Sequence, residues 1–211
     1  MHAANVIYKD DHLIVLDKPA GLLSVPGIGP DKQDCLARRV EARFAGARIV
    51  HRLDRETSGV IVMAMDAESH RDLSRQFEQR LVEKCYIAVV AGVVGADDGE
   101  IDLPLRKDLN PPRPGPRHIV DHVHGRPALT RYRVLRRDAD RTRMELLPRT
   151  GRSHQLRVHL DAVGHPILGD DLYAPPEVVA MADRLLLHAQ AMSIMHPATG
   201  ERIDFESPCP F

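Results

Sequence analysis

Apolar and polar positions along the 211-residue chain fall into short runs whose spacing separates strands from helices. The run His12-Leu-Ile-Val-Leu-Asp-Lys18, stopped by Pro19 and a glycine-marked loop from Gly21 to Pro30, predicts a strand that opens the fold. Leu36, Val40 and Phe44 recur at four-residue spacing and predict a helix, with Asp31 or Asp34 as its N-cap. A polar segment from His51 to Ser58 separates two apolar runs, and Gly59-Val-Ile-Val-Met-Ala-Met65 reads as a buried strand. Asp66 is placed to cap a second helix with Leu73, Phe77 and Leu81 as its apolar stripe, followed by a strand over Lys84 to Val90. Ala128, Thr130, Tyr132 and Val134 alternate with polar residues, Asp138 to Arg141 supplies a turn, and Met144 and Leu146 alternate back, which is a hairpin pattern. After Thr150-Gly151 a short helix is expected with Leu156, Leu160 and Val163 inward, stopped by Gly164 and Pro166. Leu185 to Met195 makes a last long strand, and Thr199-Gly200 turns it into Arg202 to Phe205. Hairpins dominate the list, so the expected class is α+β with a mostly antiparallel sheet.

Composition changes this picture little, but charge changes it. The chain is 43% hydrophobic and 28% charged, an ordinary globular balance. Its net charge of -1 argues at first against a nucleic-acid partner. The average conceals an asymmetry: Arg106 to Arg157 holds fourteen Lys+Arg against five Asp+Glu, or +9, and the remainder carries -10. Of the 29 basic residues 24 are Arg, whose planar fork pairs with phosphate. Cys35, Cys85 and Cys209 are distant from one another, which points to neither a disulfide framework nor a zinc site. The first ten residues lack a leader pattern, and no apolar run approaches a membrane span, so a cytoplasmic protein is expected.

Two clusters carry candidate chemistry. In His51-Arg-Leu-Asp-Arg-Glu-Thr-Ser-Gly59, Arg52 and Arg55 flank Asp54, and nearby cations offset the desolvation of a carboxylate that must stay ionised. Asp54 is then a candidate nucleophile, against the plainer reading of a solvated turn. A carboxylate-pair hydrolase using Asp54 and Glu56 is disfavoured, because alternate residues of an extended turn point apart. In the second cluster, Pro148 to His159, a helix from Ser153 onward would put His154 and Arg157 on one face and Gln155 and His159 on the next. Thr150, Gly151 and the first helical amides would offer an anion site. His154 and His159 are not spaced as a helical zinc pair, so no metal is expected. The Asn110 to Arg117 loop, rich in proline, reads as a solvated connector in preference to a ligand contact.

The His51 to Gly59 run resembles the signature of the RluA-type pseudouridine synthases, and the resemblance extends almost end to end. Asp10 to Leu22 is similar to the family's opening strand and loop, Lys84-Cys-Tyr86 to its Lys-x-Tyr strand, and Gly125 to Tyr132 to its middle strand. Arg149 to His159, Gly164 to Asp170 and Leu187-His-Ala-Gln190 complete the set in order. The resemblance implies the pseudouridine synthase fold, a mixed, largely antiparallel bent sheet with flanking helices and a central RNA-binding cleft. It also implies cofactor-free isomerisation of uridine in RNA, with Asp54, Tyr86 and Arg157 catalytic and Arg157 paired with Asp54. Arg52 would fill the space of a flipped base, and His51, Arg55, Arg152, His154, Gln155 and His159 would complete the RNA-binding set. The compact length implies one catalytic domain over residues 1–211 without an N-terminal S4-type domain. It most resembles the family's dual-specificity members, whose partners are 23S ribosomal RNA and tRNA anticodon stem-loops, and a monomer is expected. A catalytically idle RNA-binding relative is the alternative. Whether the aspartate attacks C1′, adds to C6 or takes the C2′ proton stays open.

Overall fold

The computed structural model describes residues 4–111 and 116–211, so the middle of the 110–117 loop, residues 112–115, lies outside the described residues. In chain order its elements are β1 (Asn5–Lys9), β2 (Leu13–Lys18), α1 (Leu36–Arg43), β3 (Arg48–Ile49), β4 (Ser58–Ala64), α2 (Ala67–Glu78), β5 (Glu83–Ala91), β6 (Asp98–Asp102), β7 (Leu105–Lys107) and β8 (His118–Val120). They continue with β9 (Leu129–Arg137), β10 (Arg141–Pro148), α3 (Gln155–Ala162), α4 (Pro176–Val179), β11 (Leu187–Met195) and β12 (Arg202–Glu206). The chain forms two compact units, Met1–Lys84 with His188–Phe211, and Cys85–Leu187. The class is α+β with a mixed, mostly antiparallel sheet, as the hairpin pattern predicts.

In the first unit the strand order is β1-β2-β4-β11, with β3 on β4 and β12 on β11. All seven residues of β4 are buried; β2 pairs with Gly59 to Ala64, while β3 and β11 take opposite ends of the other edge. Only β4 and β11 run parallel among the strand pairs described for this unit. The core beneath joins Leu13, Val15, Val60, Val62, Leu73, Met192, Ile194 and Phe205. Burying such aliphatic side chains is worth about 1.5–3 kcal/mol each and sets the register of the strands.

Two helix details differ from the pattern. Asp66 caps α2, accepting from the Glu68 and Ser69 amides, but Arg80 turns left-handed after the helix and leaves Leu81 exposed. Cys35, not Asp31 or Asp34, is the N-cap of α1, since the Asp34 carboxylate binds Arg39.

In the second unit the order is β5-β10-β9-β6, all antiparallel where described, with β7 and β8 a separate hairpin. Its core joins Ala88, Val90, Ile101, Met144, Leu146, Leu156, Leu160 and Ile167. Leu156 and Leu160 dock α3 onto the sheet as expected; Val163 is instead exposed, because α3 ends at Ala162.

Candidate active site

In the first unit the segment between β3 and β4 carries Asp54, half-buried, between exposed Arg52 and Arg55. Its backbone is held from behind. The Lys18 ammonium, fully buried, donates to the carbonyls of Pro19 (2.8 Å), Leu22 (2.8 Å) and Arg55 (3.0 Å), one for each of its three N–H groups. Ser24 Oγ donates to the Leu53 carbonyl at 2.7 Å and accepts from the Leu53 amide at 3.1 Å. The Thr57 amide closes the turn on the Asp54 carbonyl, and Arg55 Nε reaches Gly21 O and a Glu56 carboxylate oxygen, each at 3.2 Å.

Where β4 begins, a second device appears. His188 Nε2 lies 3.0 Å from the Ser207 carbonyl and must carry the proton, so Nδ1 accepts from Ser58 Oγ at 2.8 Å. At Gly59, φ is +111° and a Cβ would stand 2.1 Å from the Ala189 carbonyl, so only glycine fits. Neither His188 nor Lys18 is distinguishable as a functional residue by sequence pattern, since each sits in an apolar strand run.

His51 is half-buried and engaged with the first unit's own elements. Its Nε2 accepts from the Val62 amide at 3.1 Å and its ring stacks on Phe77 with centroids 4.4 Å apart. Burial, followed by the charge of Lys84, pushes its pKa down to about 3, so it stays neutral.

In the second unit Tyr86 stands on β5 opposite Leu146 of β10, partly buried against the core. The helix α3 starts two residues later than the Ser153 start expected, because His154 is left-handed (φ 56°). The anion site expected at its start is filled by protein: Gln155 Oε1 accepts from Thr150 Oγ1 (2.7 Å) and the Arg152 amide (3.0 Å). Gln155 Nε2 donates to Leu129 O and Thr130 Oγ1, both at 3.0 Å. The chain of bonds continues from Thr130 Oγ1 to His159 Nδ1 (3.0 Å), while His159 Nε2 donates to Leu103 O (3.0 Å). Gln155 and His159 are therefore buried and engaged at every side-chain polar atom, which corrects the expectation that they meet RNA. His154 is likewise buried, with Nδ1 2.7 Å from the hydroxyl of Tyr173, which accepts the His118 amide at 3.0 Å. Desolvation pushes the Tyr173 pKa up to about 12.

Arg157 is 3% exposed and binds Asp170 in bidentate fashion at 2.8 and 2.5 Å, with Asp171 at 3.5 Å and the Tyr173 ring beneath its guanidinium. Asp170, 1% exposed, also accepts the Leu172 and Tyr173 amides. Sequence reading pairs Arg157 with Asp54 and does not single out Asp170; the only signal for it is its place at the end of the Gly164 to Asp170 run. Arg152 is half-buried, its Nε 3.2 Å from Pro127 O.

The nucleophile candidate thus sits with His51, Arg52 and Arg55 in the first unit, and Tyr86, Arg152, His154, Gln155, Arg157 and His159 gather in the second. The model of the RNA pseudouridylate synthase family matches residues 12–162. The chain is 51% identical over 207 residues to the dual-specificity RNA pseudouridine synthase RluA of Yersinia pestis, covering 98% of this chain and 99% of that protein. It is 49% identical to the protein of that name from Escherichia coli K12, covering 98% and 93%. Among solved structures it resembles human RNA pseudouridylate synthase domain containing 1, with a TM-score of 0.82 and 27% identity over 99% of this chain and 84% of that one. Human RNA pseudouridylate synthase domain containing 4 follows at 0.76 and 27%, covering 98% and 88%. With half its residues shared along nearly all of its length, and with the family's motif loop pinned between β3 and β4, this chain belongs to the RNA pseudouridylate synthase family.

Proposed function

We propose that this RNA pseudouridine synthase uses Asp54 as its catalytic carboxylate on a uridine of a small structured RNA, of the 23S ribosomal RNA or tRNA anticodon stem-loop type. The observation that carries the reading is the Asp54 loop itself. Lys18 and Ser24 immobilise its backbone from the protein side, while the carboxylate remains half-exposed between two arginines. A loop that only turned the chain would not need a buried ammonium to fix it.

The reaction breaks the N1–C1′ bond, turns the uracil and joins C5 to C1′; the proton lost from C5 is balanced by one gained at N1, so no cofactor is needed. A uracil inside a stem or stacked loop has to leave the stack before a side chain meets it, at a cost of a few kcal/mol. Arg52, exposed beside Asp54, has the planar cation needed to stack in the gap and hold a phosphate. Tyr86 offers a ring face for the base and a hydroxyl. Arg157, clamped by Asp170, presents a guanidinium that cannot swing away. His51, Gln155 and His159 act from inside the fold by fixing β4 and the start of α3.

Asp54→Asn is expected to abolish turnover while hairpin binding survives, measured by tritium release from [5-3H]uridine RNA alongside a binding titration; appreciable activity in the variant would end the assignment. Incubation with RNA containing 5-fluorouridine should yield a stable or hydrated adduct, which an idle RNA binder would not form. Mapping pseudouridine in ribosomal RNA and tRNA from a strain lacking the gene names the target, and an unchanged map in both would overturn the proposed substrate type.

A further inference from the structure

The basic stretch from Arg106 to Arg157 does not present its charge evenly. Seven of its cations are tied to carboxylates: Arg106 to Asp121, Arg131 to Glu100, Arg133 to Glu145, Arg136 to Asp138, Arg137 to Asp97, Arg141 to Asp140 and Arg157 to Asp170. Five of these line the strands β9 and β10, so the sheet that reads as most basic is close to neutral. A carboxylate at the same surface repels a phosphate about as strongly as its arginine attracts it.

Arg126 and Arg149 differ. Both are exposed, and among the described residues neither has an acidic partner. They occupy one corner of the second unit, where β9 begins and β10 ends. The Arg126 amide and carbonyl pair with Leu105, the Arg149 amide donates to Leu129 O, and Arg152 Nε donates to Pro127 O between them.

The corner is rigid. Asp121 accepts the Val123 and His124 amides at 2.8 Å and pairs with Arg106, and the Gly125 amide closes on the Asp121 carbonyl. A Cβ at Gly125 would lie 2.2 Å from that carbonyl and 2.7 Å from Pro104 C, so the turn cannot relax around a larger residue. Its tip shows His122, Val123 and His124 to solvent, with Val123 82% exposed. Exposed guanidiniums without carboxylates, here Arg126 and Arg149 on a backbone already ordered, are what a phosphate backbone needs.

We infer that Arg126 and Arg149, with Arg152 between them, form a phosphate-binding corner for the RNA substrate, and that the arginines of the β9–β10 face contribute no net phosphate contact. This rests on the RNA reading above. Both side chains are exposed and their backbone bonds survive truncation, so Arg126→Ala/Arg149→Ala should melt as the parent does.

The test is the salt dependence of binding of a labelled anticodon stem-loop hairpin to the Asp54→Asn protein. Each phosphate contact contributes about 0.7–0.9 to the slope of log affinity against log salt, so the double variant should flatten it by about 1.4–1.8. Arg133→Ala/Glu145→Ala, which removes a neutral pair, should leave the slope and the turnover of the otherwise native enzyme unchanged. An unchanged slope in the Arg126/Arg149 variant, or an equal fall in the Arg133/Glu145 variant, overturns the assignment. Absence of any salt-dependent binding by Asp54→Asn itself would instead strike at the RNA reading.

Discussion

A guanidinium withdrawn from water survives only where a carboxylate meets it, and Arg157 shows how completely the protein satisfies that demand. Asp170 takes two of its N–H groups, and two backbone amides hold Asp170 in turn. Removing one partner of a buried pair leaves the other charge uncompensated, at a cost of about 3–5 kcal/mol. Asp170→Asn should therefore lower the urea midpoint of unfolding by about that amount and depress turnover with it. Asp171, whose side chain is 69% exposed at 3.5 Å from the same arginine, is the internal control: Asp171→Asn should stay within about 0.5 kcal/mol. Equal, small effects in both variants would show that solvent, not Asp170, stabilises Arg157. Sequence could propose Arg157 as functional, because arginine on a short helix beside an apolar stripe is conspicuous. It could not propose Asp170, because a separation of thirteen positions gives no periodic relation.

The loop that presents Asp54 depends on glycine where backbones touch. Gly59 and Gly21 both have positive φ, +111° and +80°, but they differ in surroundings. A Cβ at Gly59 would sit 2.1 Å from the Ala189 carbonyl, whereas at Gly21 nothing lies within 4 Å. Gly59→Ala must part β4 from β11 and should cost more than about 3 kcal/mol; Gly21→Ala should cost only the left-handed strain of about 1–2 kcal/mol. Thermal melts of the two variants separate the causes, and equal losses would show that conformation alone matters at both. The same elements mark how far a sequence reveals a fold. The α2 cap at Asp66 is legible because its Oδ1 is left to the Glu68 and Ser69 amides while His12 meets only Oδ2, and the α1 cap is not, because Arg39 captures both oxygens of Asp34. Strand β1 escapes notice because Val6, Ile7 and Tyr8 are apolar in succession, while only Ile7 joins the core. The start of α3 is hidden because left-handed His154 precedes it without a side-chain cap, while Gln155 ties the approaching chain at the Arg152 amide.

At the scale of the whole molecule, charge is legible as an amount but not as an arrangement: the +9 of the central stretch is present in the sequence, yet half of its cations spend their charge on carboxylates, three of them on partners that strand pairing brings close. Histidines follow a similar logic with consequences for stability. His51 and His159 are conspicuous as possible RNA contacts, but the fold holds both neutral, His51 with its pKa pushed from 6.5 to about 3 and His159 lowered by its own burial. A base whose pKa falls on folding takes up protons more readily when unfolded, so its contribution to stability is complete above about pH 6.5 and is lost as the pH drops toward 3. Carboxylates add their own acid loss in any variant, so the test is a comparison. His51→Gln can keep an acceptor for the Val62 amide but loses the stacking on Phe77, and should be less stable at pH 7. Having no proton to take up on unfolding, it should then lose less stability than the native protein between pH 6.5 and 4, in urea midpoints measured across that range. The two curves should converge as the pH falls. Parallel curves would show that the proton uptake of acid unfolding lies elsewhere, and that the neutrality of His51 contributes nothing to the folded state.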